Sequence, residues 1–241
     1  METIRVLAAG SLRLVWPDIL TAFAQLSAQP VTTAFGPAGL LRQRIELAES
    51  CDLFVSANVT HPQTLLDTGK ALSVMIFSHN QLCLTMSQRL AQQQRTWIDL
   101  LSDPALQVAT STPISDPSGD YTWALFNHIE KNHPEAGKAL KQRARALVGG
   151  ADSLVVPEGE LAAEWIIRQQ LADIFIGYQS YALRLCNCDN IAVMEIPASY
   201  QIRANYAFAV CHPRAQLLAS FLVSERAQSI LEREGFIPLN R

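Results

Sequence analysis

The chain has 241 residues, 49% of them hydrophobic and 17% charged, with a formal net charge of −3. That length and apolar content suffice for one large domain or two lobes with buried cores. A balance of 19 basic against 22 acidic residues, with only 7% aromatics, argues against the basic, aromatic-studded surface that binds nucleic acid.

In chain order, "IRVLAA" reads as a strand and "DILTAFAQL" as a helix with Ile19, Leu20, Phe23 and Leu26 on one face. "PVTTAFG" is a second strand, "LLRQRIELAE" a helix and "CDLFVSA" a third, largely apolar strand. This β-α-β-α-β order with buried strands predicts a parallel sheet covered by helices on both faces. The middle repeats the logic. "LQVATST" is a strand, followed by helices over "DYTWALFNHIEKN", "PEAGKALKQRARALV" and "EGELAAEWIIRQQL", then the strand "ADIFIGY". The tail gives a strand, "ANYAFAVC", and two helices, "AQLLASFLV" and "SERAQSILEREGF".

Two extended, β-rich stretches, near 71–87 and 191–211, read as crossings between lobes. They place residues 1–80 plus 200–241 in one lobe and 81–195 in the other, with a cleft between them where a small ligand binds. No apolar stretch reaches the roughly 20 residues that cross a bilayer. No basic opening followed by an apolar run precedes the first strand, so either a leader has been removed or the protein is cytoplasmic. The five cysteines are an odd number. Cys186 and Cys188 are too close to favour an ordinary bridge, and Cys51, Cys83 and Cys211 stand alone in the sequence, so free or buried thiols are expected and no zinc site.

Four junctions carry small residues where a helix is expected to begin: "AAGSL", "FGPAGLL", "DPSGDY" and "PEGEL". Helix starts present unpaired N–H groups and the positive end of the dipole, and so bind anions without a formal countercharge. Caps and turns use the same residue types, and any one junction alone is explained by them. Pro17 interrupts the first junction, so "LRLVW" is expected to be a short turn with the helix restarting near Pro17.

"VLAAGSL", "FGPAGLLRQRIE", "CDLFVSAN", "IFIGY" and the closing "ILEREGF" resemble, in the same order over essentially the whole chain, the periplasmic molybdate/tungstate-binding proteins of ABC importers. The resemblance implies a type II periplasmic-binding-protein fold: two doubly wound α/β lobes, two crossing strands and hinge closure on a tetrahedral oxyanion. Carried over position by position, Ser11 matches a serine that donates hydroxyl and amide. Ala38 falls where many members have a second serine, leaving only an amide. Ser118 matches a position used through its amide, Glu160 an amide donor at a helix start, and Tyr178 the tyrosine whose phenol completes the shell. Gly10, Gly39 and Gly119 flank these positions. The resemblance further implies a monomer without cofactor, a molybdate or tungstate ligand, a periplasmic location and the membrane subunits of an ABC importer as partners. Ala38 and Glu160 leave room for another anion, and Tyr121, Tyr181 and Asp120 lie near the expected rim. A non-transport or cytoplasmic sensor of another anion or organic acid is the rival binding module.

An enzyme would need a nucleophile, a base and an orienting group together. The five histidines are scattered, with His61, His133 and His212 each preceding a proline, and no HExxH, GxSxG or P-loop pattern occurs. The sequence therefore reads as a binding protein.

Overall fold

The computed structural model describes residues 2–239. The chain divides into two compact units, Met1–Asn80 with Ala204–Arg241, and Gln81–Arg203.

The first unit opens with β1 (Ile4–Ala9), a short 3-10 turn at Gly10–Leu12 and α1 (Trp16–Phe23). Pro17 sits in the first turn of α1, where its missing N–H has no intrahelical acceptor in any case. Then come β2 (Val31–Gly36), α2 (Ala38–Glu46), β3 (Leu53–Ser56), α3 (Thr60–Asp67) and β4 (Ser73–Asn80). The second unit contains β5 (Leu82–Ser87), α4 (Gln88–Ala91), α5 (Trp97–Ser102), β6 (Val108–Ser111), α6 (Pro117–Asn132), α7 (Pro134–Arg143), β7 (Arg145–Val148), α8 (Ala162–Arg168), β8 (Ile174–Tyr178), α9 (Ala182–Leu185) and β9 (Ile191–Glu195). The chain returns to the first unit as β10 (Ala204–Val210), α10 (Gln216–Leu222) and α11 (Glu225–Arg233).

Each unit is built on a five-stranded sheet, β2-β1-β3-β10-β4 in the first and β7-β6-β8-β5-β9 in the second. The sheets are mixed, where the alternating pattern predicts parallel ones. β2, β1 and β3 are parallel, but β10 runs antiparallel between β3 and β4. In the second sheet β6 is parallel to β7 and β8, while β5 is antiparallel to both its neighbours. The antiparallel strands are the ones that change unit, since β4 and β5 are separated by Gln81 alone. Helices on both faces explain why β3, β6 and β8 are buried at every position.

Three sequence expectations change. Leu26 is 61% exposed because α1 ends at Phe23, one turn before the apolar period runs out. "ARALV" is not the end of a helix: Ala144 turns extended (ψ 135°) and Arg145 opens β7, which pairs with β6. Arg, Ala and Leu are good helix formers, and the open edge of β6 overrides that propensity. The helix expected over "EGELAAEWIIRQQL" begins only at Ala162, after Gly159 in a left-handed conformation (φ +83°). The stretch between β9 and β10 stays with the second unit, where Gln201 donates to the Leu82 carbonyl at 2.7 Å and accepts from its amide at 3.2 Å.

Candidate functional site

In the first unit the donors gather at the carboxyl ends of β1, β2 and β3. The parallel register pairs Ala9 with Gly36, so Gly10 and Ser11 on one strand face the start of α2 on the next. A Cβ on Gly10 would lie 3.9 Å from the Gly36 carbonyl oxygen, which shows how near the two loops run. Ala38 is the first residue of α2 and 1% exposed, and no side chain caps this helix, whose N-cap is Pro37. The first-turn amides of α2, at Ala38 and Gly39, have no intrahelical acceptor by geometry and meet no capping side chain. Ser11 Oγ accepts a hydrogen bond from the Tyr206 phenol at 2.8 Å, and Tyr206 OH in turn accepts from Asn80 Nδ2 at 3.4 Å. A hydroxyl has one hydrogen, so Ser11, already an acceptor toward Tyr206, is left to donate elsewhere.

The turn after β3 is closed internally. Ser56 Oγ donates to Asn58 Oδ1 at 3.0 Å, and the same oxygen accepts the His61 amide at 3.1 Å. His61, in the first turn of α3, is buried: it is 4% exposed, and neither ring nitrogen has a partner among the described residues. Burial, aided by the positive charge of Arg42, pushes its pKa down to about 4, so the ring is neutral.

In the second unit, "DPSG" forms the start of α6. Asp116 is the N-cap, and its Oδ1 accepts the Ser118 amide at 3.1 Å, while its backbone carbonyl accepts the Gly119 amide at 2.9 Å. Ser118 is therefore not available through its amide, the role its sequence position suggests. Its side chain is the available group. Ser118 is 3% exposed, and its Oγ is buried with no hydrogen-bond partner among the described residues. An unpaired buried hydroxyl costs about 1–3 kcal/mol, so such a group is kept where something else pays for it, such as a ligand. Burial raises the Asp116 carboxyl to about 6, against the Ser118 amide and the Ser111 side chain, which favour the charged form.

Tyr178 ends β8 and is 5% exposed. Because β8 lies beside β6, whose carboxyl end leads into α6, Tyr178 and Ser118 share one edge of the sheet. The Tyr121 ring, one turn into α6, meets the Tyr178 ring edge-on at 6.5 Å between centroids. Asp120 serves the turn: its Oδ1 accepts the Ile114 amide at 2.8 Å, holding Ile114 at φ +70°. Glu160 is not at a helix start. Its amide donates to the Pro157 carbonyl at 3.2 Å, two residues before α8 begins, and its carboxylate is paired with Arg168. The sequence thus locates Ser11, Ala38, Ser118 and Tyr178 at carboxyl edges of the two sheets but misplaces Glu160. It misses Tyr206, Asn80 and Asp116, of which only Asp116, directly before a Pro-Ser-Gly turn, carries a local capping signal.

Among the described residues, no group of three His, Cys, Asp or Glu side chains is placed to hold a metal ion, and no helix is long and apolar enough to cross a membrane. A groove of about 460 Å³ between α1 and α11 holds none of the candidate residues, and Asp18 and Arg233 on its walls pair with each other.

Comparison with known proteins follows the same line. A protein of Pasteurella multocida (strain Pm70), described only as uncharacterized, is 44% identical over 241 residues, covering 98% of this chain and 99% of that protein. The sulfate-binding protein SubI of Mycobacterium tuberculosis H37Rv superposes with a TM-score of 0.82 at 17% identity, over 100% of this chain and 88% of that one. The periplasmic molybdate-binding protein of Azotobacter vinelandii gives 0.74 at 17% identity, over 97% and 98%. Such identities show the fold, that of type II periplasmic binding proteins. Residues 4–237 match the family model for the bacterial extracellular solute-binding protein, and the chain belongs to that family.

Proposed function

We propose that this solute-binding protein captures a tetrahedral oxyanion, molybdate or tungstate, in the periplasm and delivers it to the membrane subunits of an ABC importer. The donors are Ser11 Oγ and the Ala38 and Gly39 amides in the first unit, and Ser118 Oγ and the Tyr178 phenol in the second. The buried Ser118 hydroxyl, without a partner among the described residues, carries the reading. It is a neutral donor held ready beside a helix start, and the uncapped start of α2 is its counterpart in the first unit. Both suit a ligand that accepts hydrogen bonds at every oxygen and offers none. The sulfate- and molybdate-binding fold neighbours support the same ligand class.

Selectivity follows from protonation and size. A neutral-donor shell penalises hydrogen phosphate, whose O–H would be buried without an acceptor, by roughly 1–3 kcal/mol. A thermal-shift panel of molybdate, tungstate, sulfate, phosphate and small carboxylates tests the proposal. Ligand at about 100 times its dissociation constant stabilises by about 2.7 kcal/mol, a clear shift of the midpoint. Molybdate and tungstate are expected to give the largest shifts. Shifts with carboxylates alone would move the protein to an organic-acid ligand, in keeping with the serine replaced by Ala38.

A further inference from the structure

Cys51 and Cys211 are 160 positions apart, yet they flank paired strands. Cys51 comes two residues before β3, and Cys211 directly follows β10, whose Val210 pairs with Leu53. The pairing does not end in plain alternation. The amides of Cys211 and His212 both donate to the single carbonyl of Asp52, at 2.9 and 3.2 Å, so two residues of one strand oppose one of the other. This irregular end sets Cys51 and Cys211 side by side on neighbouring strands, near enough for each thiol to influence the other's ionisation. Both cysteines are partly accessible. Among the other three, the Cys83 thiol feels that of Cys186, but Cys186 lies on no strand paired with β5. Cys83 is buried within β5, and Cys186 and Cys188 follow each other at the end of α9, a spacing at which side chains diverge.

We propose that Cys51 and Cys211 form a disulfide when the protein meets a disulfide-bearing oxidant, stapling together the two chain segments of the first unit. The family's extracellular character supplies the setting, since disulfides persist in oxidising compartments. Cys211 is the attacking group: the neighbouring Cys51 thiol holds it below the ordinary range, while Cys51 itself is held above it. The Cys211 thiolate attacks one sulfur of the oxidant, breaking its S–S bond and releasing one thiolate. Cys51 then gives up its proton and attacks the Cys211 sulfur of the mixed disulfide, expelling the second oxidant thiol. Two protein thiols are oxidised and one oxidant disulfide is reduced to two thiols.

The bridge would enclose residues 52–210, the whole second unit included. The first unit is assembled from Met1–Asn80 and Ala204–Arg241, which without the bridge are joined only through the second unit and by packing. Closing so long a loop removes more disorder from the unfolded chain than closing a short one.

The test uses the purified full chain, incubated under native conditions with oxidised glutathione, then alkylated, digested without reduction and mapped by mass spectrometry. The expected result is a protein lighter by two hydrogens, with three of its five cysteines alkylated and one Cys51–Cys211 peptide pair. Its melting midpoint should exceed that of the reduced form by several degrees. Cys211→Ser should lose both the linked peptide and the redox dependence of the midpoint. Alkylation of all five thiols, a linked Cys186–Cys188 peptide in place of the expected pair, or glutathione adducts that never resolve would each overturn the proposal. The peptide map of the native chain decides the matter even if the serine variant does not fold.

Discussion

The Tyr206 phenol donates to Ser11 Oγ at 2.8 Å, joining two residues 195 positions apart, one on β10 and one just beyond β1. The bond turns the Ser11 hydroxyl hydrogen away from Tyr206, which occupies an acceptor site of that oxygen. Ser11→Ala should therefore weaken oxyanion binding by about 1–2 kcal/mol, and Tyr206→Phe by less, since the donor remains and only its orientation is lost. Isothermal titration with molybdate at constant pH measures both. An equal or larger loss in Tyr206→Phe would mean that the phenol acts in some other way.

Ser118→Ala should split stability from affinity. Without ligand, removing a buried hydroxyl that has no partner leaves stability unchanged or raises it by up to about 1 kcal/mol. With ligand, a donor is missing, and affinity should fall by about 1–2 kcal/mol. Urea unfolding of the ligand-free protein and titration calorimetry read the two effects separately.

The Asp116 carboxyl, raised to about 6 by burial, sets a pH dependence in the second unit. Its ordinary value is 3.8, so between about pH 4 and 6 the folded state holds a proton that the unfolded state has released. Stability is then lost as pH rises through that window and levels off above it. Asp116→Asn keeps an oxygen for the Ser118 amide and removes the buried charge. Relative to the native chain it should gain stability from pH 4 to pH 7, by at most about 3 kcal/mol. Urea midpoints at pH 4, 5 and 7 check this.

His61 acts in the opposite sense. Its folded pKa of about 4 lies below the ordinary 6.5, so in that window the unfolded state binds the extra proton. Stability from this group is present above pH 6.5 and is lost as pH falls toward 4. His61→Leu should flatten that acid limb. Thermal midpoints across pH 4–7 for the variant and the native chain provide the comparison.

Gly119→Ala should be among the most damaging substitutions at the α6 start. A Cβ there would lie 2.5 Å from the Pro113 backbone nitrogen and 2.6 Å from the Ser111 carbonyl oxygen, both main-chain atoms that cannot swing aside. A loss of about 2 kcal/mol or more in stability is expected, together with weaker ligand binding because Ser118 moves with the turn. Circular dichroism melts and the oxyanion panel check the two effects.

Much of the architecture is legible in the letters. "IRVLAA" is β1 residue for residue, and "LRLVW" is a turn before a helix that restarts beside Pro17. Such features depend on local periodicity and on the missing N–H of proline. The short strand β7 is not legible, because Arg145–Val148 owes its conformation to β6 rather than to its own propensity. Glu160 fails for a related reason: a motif alignment assumes a helix start there, and the left-handed turn at Gly159 delays α8 until Ala162.

The sequence by itself determined the broad solute-binding family, the α/β class and the positions of Ser11, Ala38, Ser118 and Tyr178 near strand ends, since short motifs and hydrophobic period are properties of neighbouring residues. Tertiary structure alone decided how those groups are used. It gave the Ser118 amide to Asp116 and left the hydroxyl without a partner among the described residues, turned Ser11 into a donor through Tyr206, and brought Cys51 and Cys211 to neighbouring strand ends. Hydrogen-bond partners and burial arise from strands that meet only when the chain has closed on itself, and no local pattern encodes them.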